Sequence, residues 1–193
     1  MERLPQKLID TLQMFAKLSD NELIALSSVM EHRKVKKGDY FLQQGQVCQH
    51  LGFLNSGIMR VYHLANDKEY TSYFNFGERN PFVSSFSSFV TRKPSQESIH
   101  ALEDCELLLI SYDNLQKLYE SSFALQKLGR VIAEYNYTLA MKRIYSLQHF
   151  SAQERYKELL LIYPNLVNHV PHHYIASYLG ITPESLSRIR KEK

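Results

Sequence analysis

The sequence predicts an α+β protein in which an N-terminal antiparallel β-roll, similar to a jelly roll, precedes a small C-terminal helix-turn-helix domain. Between Val35 and Ile110, glycines separate short segments rich in Tyr, Phe, Val and Ile, as expected for antiparallel strands. Apolar residues then recur at spacings of three and four over residues 123–150, which indicates one long helix. We therefore divide the 193-residue chain into a β-roll domain (1–122), this long helix (123–150) and a helix-turn-helix domain (151–193).

Two short helices are predicted before the roll, within residues 4–30. Leu8 and Leu12 lie on one face of the first helix because they are four residues apart. Ser19 and Glu22 have the spacing of a capping box, in which each side chain binds the backbone amide of the other residue. This pair is typical of the start of a second helix.

The roll itself is predicted to contain six to eight strands. The segments 57–64 and 70–74 are rich in strand-forming residues, and Asn66-Asp67-Lys68 lies between them. We expect these segments to form a hairpin. The glycines that separate the strands are Gly38, Gly45, Gly52, Gly57 and Gly77.

The long helix has an apolar stripe that admits two interpretations. It could pack on the roll of its own chain, or it could form the seam of a homodimer. The stripe keeps close to a heptad for about two repeats, and a two-fold dimer would present two helix-turn-helix units to a palindromic site. We expect a dimer interface made by Leu125, Leu128, Ile132, Tyr135 and Leu139.

The C-terminal segment has the pattern of a helix-turn-helix. Ile175, Ala176 and Leu179 give one apolar stripe, and Gly180 ends that helix. Pro183 opens a second helix that should turn Leu186 and Ile189 inward. In such a unit the second helix enters the major groove of DNA. The alternative is an ordinary helical hairpin with a glycine turn. The expected DNA-binding residues are Thr182, Glu184, Ser185, Arg188, Arg190 and Lys191.

Composition restricts the remaining possibilities. The net charge of +3 is only mildly basic, so a nucleic-acid interface should be local, and residues 183–193 hold four basic and two acidic residues. Two cysteines, Cys48 and Cys105, are too few for a zinc finger or a single-chain iron–sulfur cluster. No apolar run suits a membrane span or a secretion signal. We expect a cytoplasmic protein without a bound metal, cofactor or membrane.

These features together resemble the Crp/Fnr superfamily of bacterial transcription regulators. The stretches that carry the resemblance are 41–57 and 101–112 in the roll and 181–189 at the end. The resemblance implies a cyclic-nucleotide-binding-type roll, a dimerisation helix and a DNA-binding helix pair in which Glu184, Ser185 and Arg188 contact DNA. An Arg often found before that Glu is replaced here by Pro183, and we expect this chain, whose sequence stops at Lys193, to be either wingless or truncated before a complete wing.

The ligand site is where the chain departs from the family pattern. The Gly-Glu and Arg-Ser pairs that bind cyclic AMP fall on Ser84-Ser85 and Ser95-Gln96, and a Thr-Ser pair that reaches the base falls on Ala140-Met141. Without the Arg, a cyclic phosphate would lose its cationic partner, so we expect cyclic AMP to bind weakly or not at all. The nearby Arg92 and Lys93 could instead form an anion site or be solvated loop charges. A surviving pocket would include Tyr73, Ser84, Ser85, Phe86, Phe89, Ser95 and Gln96.

Other chemistries are disfavoured. His50, His63 and His100 could ligate haem, but scattered hydrogen-bonded histidines are the simpler interpretation. His172 and His173 are adjacent on a helix, where they point apart and cannot chelate one ion, and no catalytic motif is present. We expect no enzyme.

Two function classes remain open. One is a homodimeric regulator that binds double-stranded DNA at a palindromic site, with RNA polymerase and an unidentified small-molecule effector as further candidate partners. The other is a sensory or adaptor module that does not bind DNA.

Overall fold

The computed structural model describes residues 4–77 and 79–191. Within these residues the chain forms helices at both ends and strands between them, which confirms the predicted α+β class. The helices are α1 (Gln6–Gln13), α2 (Asp20–Val29), α3 (Phe86–Thr91), α4 (Tyr112–Ser121), α5 (Phe123–His149), α6 (Ala152–Ile162), α7 (Leu166–His169), α8 (His172–Leu179) and α9 (Pro183–Lys191). The strands are β1 (Glu31–Val35), β2 (Tyr40–Leu42), β3 (His50–Ser56), β4 (Ile58–Ala65), β5 (Lys68–Phe76), β6 (Phe82–Val83), β7 (Ser98–Ala101) and β8 (Cys105–Ser111).

The strands form two four-stranded sheets, ordered β1-β8-β3-β6 and β2-β7-β4-β5. The pairs β1–β8, β3–β8, β3–β6 and β2–β7 are antiparallel. The predicted hairpin is β4–β5, and its turn residues Asn66 and Asp67 have φ values of 51° and 58°. Asn and Asp tolerate this left-handed conformation, and a two-residue turn with two positive φ values matches the twist of the strands. The hairpin prediction is therefore confirmed.

The chain divides into two compact units. The first contains Met1–Val61 and Phe74–Asn136, and the second contains Tyr62–Tyr73 and Tyr137–Lys193. The three-part division made from the sequence stays a prediction. No helix among residues 4–77 and 79–191 is long and apolar enough to cross a membrane.

The core of the first unit is built from helices packed on one sheet. Its buried residues come from α1, α2, β3, β8, α4 and the first part of α5, and they surround an apolar cavity of about 60 Å³. The predicted capping box is present at the start of α2, where the Ser19 amide donates to the Glu22 carboxylate and the Glu22 amide donates to the Ser19 hydroxyl. The buried residues are Leu4, Leu8, Leu12, Leu26, Phe53, Leu108, Ile110, Leu118, Leu125 and Leu128.

This core corrects part of the predicted dimer interface. Leu125 and Leu128 are 2% and 6% exposed and pack inside their own unit, so they are not available to a partner. Ile132 is partly buried and packs against the same core. Tyr135 remains 45% exposed, and its ring meets Phe15 edge to face with centroids 5.4 Å apart. The first part of α5 thus follows the interpretation in which the helix packs on its own chain.

The second unit joins the tip of the β4–β5 hairpin to the C-terminal helices. The Thr71 amide donates to the Ser177 hydroxyl (2.9 Å), which donates to the Glu69 carbonyl (3.0 Å). Because β5 is an edge strand, these two backbone groups have no neighbouring strand on that side, and the hydroxyl of α8 satisfies both. The buried residues of the C-terminal helices are Tyr156, Leu159, Leu166, Val170, Ile175, Ala176, Leu179 and Leu186.

Candidate nucleic-acid interface and ligand cassette

The turn between α8 and α9 has the local chemistry of a helix-turn-helix. α8 ends at Gly180, whose φ of 69° is the left-handed conformation that glycine adopts without strain. Thr182 then caps α9, because its hydroxyl accepts a hydrogen bond from the Ser185 amide at 3.3 Å. Pro183 occupies the first helical position, where its missing amide hydrogen costs nothing. The short segment between the helices is therefore fixed by its own sequence.

The apolar positions of the pair point inward as predicted. Ile175, Ala176 and Leu179 of α8 are fully buried, and Leu186 of α9 is 1% exposed. Leu186 is the anchor of α9, so the opposite face of that helix is left to solvent. The predicted DNA-binding residues Thr182, Glu184, Arg188, Arg190 and Lys191 are all exposed, and Ser185 is half-buried.

The structure joins several predicted DNA-binding residues by hydrogen bonds along α9. Arg188 donates to the Ser185 hydroxyl at 3.2 Å, and Ser185 lies 3.3 Å from the hydroxyl of Thr182. The pKa of Glu184 is lowered, first by its own backbone amide and then by the Thr182 hydroxyl. The exposed face therefore carries guanidinium groups beside a carboxylate that is held ionised, a mixture of donors and acceptors suited to base edges and phosphates. Lys193, which was counted in the basic end, lies outside the described residues.

His172 contacts this face from the other helix. Arg190 of α9 donates to the imidazole ring of His172, which lies at the start of α8. Because a guanidinium has no acceptor, the imidazole ring accepts this bond. No sequence pattern could have found this contact, because the two residues are 18 positions apart on different helices.

The second part of α5 presents an apolar surface to solvent. Tyr137 is 67% exposed, and Met141, Ile144, Tyr145 and Leu147 are between 45% and 56% exposed. Single exposed apolar residues are common on proteins, but five within about three turns of one helix are a patch. The sequence prediction placed the interface on a different set of positions, of which Leu139 is half-buried.

A network of hydroxyls and one carboxylate occupies the predicted ligand cassette. Ser95 donates to the Ser85 hydroxyl at 2.9 Å, and Ser85 donates to the Glu97 carboxylate at 3.1 Å. The Glu97 amide in turn donates to the Ser95 hydroxyl at 3.0 Å. Ser84, Ser85 and Ser95 are all buried. Glu97 was missed by the sequence reasoning because it lies one residue beyond the aligned pair.

The other predicted pocket residues are spread between interior and surface. Phe89 is 3% exposed and meets the Tyr112 ring edge to face with centroids 5.4 Å apart, whereas Phe86 is 49% exposed. Gln96 is exposed and Tyr73 is half-buried on β5. The pocket itself stays a prediction.

Arg92 has a structural role that differs from both interpretations of the loop charges. Its guanidinium donates to the Cys48 carbonyl at 2.8 Å and to the Gln49 side chain, and it lies 4.5 Å from the centre of the Tyr112 ring. Lys93 is exposed. The structure also contains a buried arginine that was not singled out from the sequence, Arg60 on β4, which is 1% exposed.

Cysteine and histidine side chains are the remaining candidates for reactive groups or ligands. Burial raises the pKa of the Cys105 thiol to about 11, as is typical of an unreactive core cysteine. Burial also lowers the pKa of His50, with a smaller contribution from Arg33. Within residues 4–77 and 79–191, no three His, Cys, Asp or Glu side chains are placed to hold a metal ion.

Comparison with known proteins places these features in a family context. Residues 32–122 match the model of the cyclic nucleotide-binding domain. Comparison with curated protein sequences gives no match. Among solved structures, a protein described as a transcriptional regulator of the Crp/Fnr family from Eubacterium rectale is 21% identical, with a TM-score of 0.70 over 91% of this chain and 83% of that chain.

Two further solved structures support the same fold. FixK2 from Bradyrhizobium japonicum is 18% identical, with a TM-score of 0.71 over 85% of this chain and 84% of that chain. The catabolite activator protein of Thermus thermophilus is 20% identical, with a TM-score of 0.59 over 93% of this chain and 85% of that chain. The resemblance inferred from sequence is thus confirmed at the level of the fold, and the Eubacterium rectale protein is described as a transcriptional regulator.

Proposed function

We propose that this chain, which has the fold of Crp/Fnr transcription regulators and a roll that matches the cyclic nucleotide-binding domain, is a cytoplasmic transcription regulator that binds palindromic DNA as a homodimer. The observation that carries the proposal is the exposed basic surface of α9, where Arg188 and Lys191 lie on the side away from the buried Leu186 and Arg190 is exposed beside them. A contact with RNA polymerase is part of the proposal on the strength of the family resemblance alone.

The chemistry of α9 suits the major groove. Arg guanidinium groups bind guanine through its two acceptors, and Arg and Lys bind phosphates with release of counterions. Gly180 ends α8 and Thr182 caps α9, a short helix whose last turn holds three basic residues. Glu184 at its start can accept from the amino group of cytosine, since its lowered pKa keeps it ionised.

The homodimer is proposed to form through the second part of α5. Tyr137, Ala140, Ile144 and Leu147 follow one another at spacings of four residues or three, which is the a/d pattern of a coiled coil. All four are exposed in the single chain. A two-fold seam along this stripe would bury the apolar patch and bring two helix-turn-helix units to successive turns of the DNA.

The effector is proposed not to be cyclic AMP. At the positions that correspond to the phosphate-binding pairs, the hydroxyls of Ser85 and Ser95 are bonded to Glu97. A cyclic phosphate placed there would meet a carboxylate, and two like charges repel. Arg92 cannot compensate, because its guanidinium is already held by Cys48 and Gln49. A small effector of another kind remains part of the proposal.

Selection from a random double-stranded DNA library, at near-physiological salt and without nucleotide, tests the proposal. We expect enrichment of a palindrome whose half-sites are about 10 base pairs apart. Added cyclic AMP should leave both the enriched sequence and the affinity unchanged. If no sequence is enriched, either alone or with cell extract as a source of effector, the chain is the sensory or adaptor module that does not bind DNA. If cyclic AMP is required, the inference about the cassette is wrong.

A further inference from the structure

The end of α8 is the point where the DNA-binding pair joins the rest of the second unit. The last four carbonyls of any α-helix have no amide partner within that helix. In α8 these belong to Ala176, Ser177, Tyr178 and Leu179. Where each of these four groups finds its hydrogen bond determines how the following turn, and therefore α9, is held.

The first two carbonyls are satisfied locally. The Ile181 amide donates to the Ala176 carbonyl at 3.0 Å, and the Gly180 amide donates to the Ser177 carbonyl at 3.1 Å. This pair of bonds is the Schellman motif, which requires the left-handed conformation of Gly180. The motif fixes the turn after α8, but it does not fix the direction of α8 or α9 relative to the other helices.

The other two carbonyls accept from arginines of distant helices. Arg143 of α5 donates to the Tyr178 carbonyl. Arg155 of α6 donates to the Leu179 carbonyl through Nε at 3.1 Å and Nη2 at 2.8 Å. A helix C-terminus carries partial negative charge, so a cation is favoured at both positions.

Each arginine also has a second attachment. The Arg143 guanidinium lies 3.8 Å from the centre of the Tyr178 ring. Arg155 donates from Nη1 to the carbonyl of Phe150, the residue that follows α5. One guanidinium therefore binds the C-terminal ends of α5 and α8 together. A lysine could not do this, because its ammonium is a point charge and lacks the planar fork.

The surroundings hold these groups in place. Arg143 and Tyr178 are half-buried, and burial lowers the pKa of Arg143 while Tyr178 and Glu158 oppose that change. Glu158 accepts a hydrogen bond from Ser146 at 3.1 Å, so it too is fixed between α5 and α6.

We infer that Arg143 and Arg155 are positioning residues for DNA recognition, which fix the angle between the end of α5 and the recognition helix α9 by binding the last two carbonyls of α8. The inference rests on the proposed function. It assigns specificity to two side chains that need not contact DNA, because a dimer presents its two α9 helices in register only if each is rigidly joined to its own α5.

The test uses the conservative variants Arg143→Lys and Arg155→Lys in the full chain, with Lys142→Ala and Lys157→Ala as controls on exposed neighbours of the same helices. The variants should bind the selected DNA site about tenfold more weakly, as expected for a recognition element held less firmly. Their affinity for random DNA and the slope of affinity against salt should not change, because no phosphate contact is lost. The controls should leave the ratio of specific to random affinity unchanged.

Two results would overturn the inference. A salt slope reduced by about one, with equal weakening on random DNA, would mean that the arginine binds phosphate directly. A lowered melting temperature with an unchanged ratio of affinities, measured where the variant is fully folded, would mean that the contact only stabilises the fold.

A second measurement does not depend on DNA. Hydrogen exchange in Arg155→Lys should accelerate at the amides of residues 180–186 while the amides of α6 keep their protection. Unchanged exchange in that segment would contradict the inference even if the wild-type protein selects no DNA sequence. DNA selection therefore tests the proposed function, whereas hydrogen exchange tests this inference independently of it.

Discussion

The two parts of α5 differ in burial although they share one helix and one kind of apolar pattern. Up to Ile132, the apolar residues Leu125 and Leu128 are covered by the core of the first unit. From Tyr137 onward, the apolar residues Tyr137 and Ile144 lie open to solvent. Periodicity therefore identifies apolar positions, whereas their burial depends on which elements the chain brings against them.

The largest expected effect is the loss of stability on truncating a buried residue in the first part of α5. Leu128→Ala should lower the free energy of unfolding by about 2–5 kcal/mol, because it removes a buried side chain and enlarges the apolar cavity that Leu128 lines. Urea unfolding followed by circular dichroism measures the change. The exposed Leu161→Ala on α6 is the matched control and should shift the midpoint little. Equal effects of the two variants would contradict the burial of Leu128.

Substitutions in the exposed second part of α5 should affect dimerisation. Ile144→Asp would place two carboxylates opposite each other at the two-fold seam and should weaken dimerisation about 100-fold, while unfolding of the monomer changes little. Sedimentation at micromolar concentrations follows the dimer. Leu161→Asp, also an exposed apolar position, is the control and should leave the dimer intact. A wild-type chain that stays monomeric throughout would remove the proposed seam.

Measurements of DNA binding distinguish the role of the dimer seam from that of the recognition helix. Arg188→Ala should cost about 1–3 kcal/mol in specific binding if it contacts guanine, without any change in dimerisation. Ile144→Asp should also weaken binding, but together with loss of the dimer. Competition against random DNA, with the exposed Arg33→Ala of β1 as control, distinguishes the two. Specific binding that is unchanged in Arg188→Ala would withdraw the role assigned to that residue.

The smallest effect concerns the thiol of Cys105 in the first unit. Because burial raises its pKa to about 11, the native thiol stays protonated up to a pH at which the thiol of the unfolded chain, with a pKa of about 8.5, is ionised. The native state binds the proton more tightly, so this contribution to stability is present below pH 8.5 and declines as pH rises toward 11.

Labelling by a thiol reagent at pH 8 should therefore be slow in the wild type and in Ile144→Asp, and faster in Leu128→Ala, which opens the first unit more often. Labelling that is equally fast in all three proteins would show that the burial of Cys105 does not protect it. Mass spectrometry of the labelled peptides distinguishes Cys105 from Cys48.

Much of the fold could be predicted because its signals are local. The capping box of Ser19 and Glu22, the turn at Asn66 and Asp67, and the glycine at 180 each involve residues that are at most three positions apart. Capping and turn formation depend on backbone groups in the same segment, so the sequence specifies them without knowledge of the tertiary structure. The inward direction of Leu179 and Leu186 followed from helical periodicity in the same way.

The candidate site was predictable in its residue types but not in its contacts. The sequence alone identified the exposed positions of α9, and the replacement of the cyclic-phosphate arginine stays a prediction. Only the tertiary structure brought Glu97 onto Ser85, and Arg143 and Arg155 onto the end of α8, because these contacts join groups 12 to 35 positions apart in the chain. A long polar side chain can reach many partners, and its partner is decided by how helices and strands pack, a property that no local pattern records.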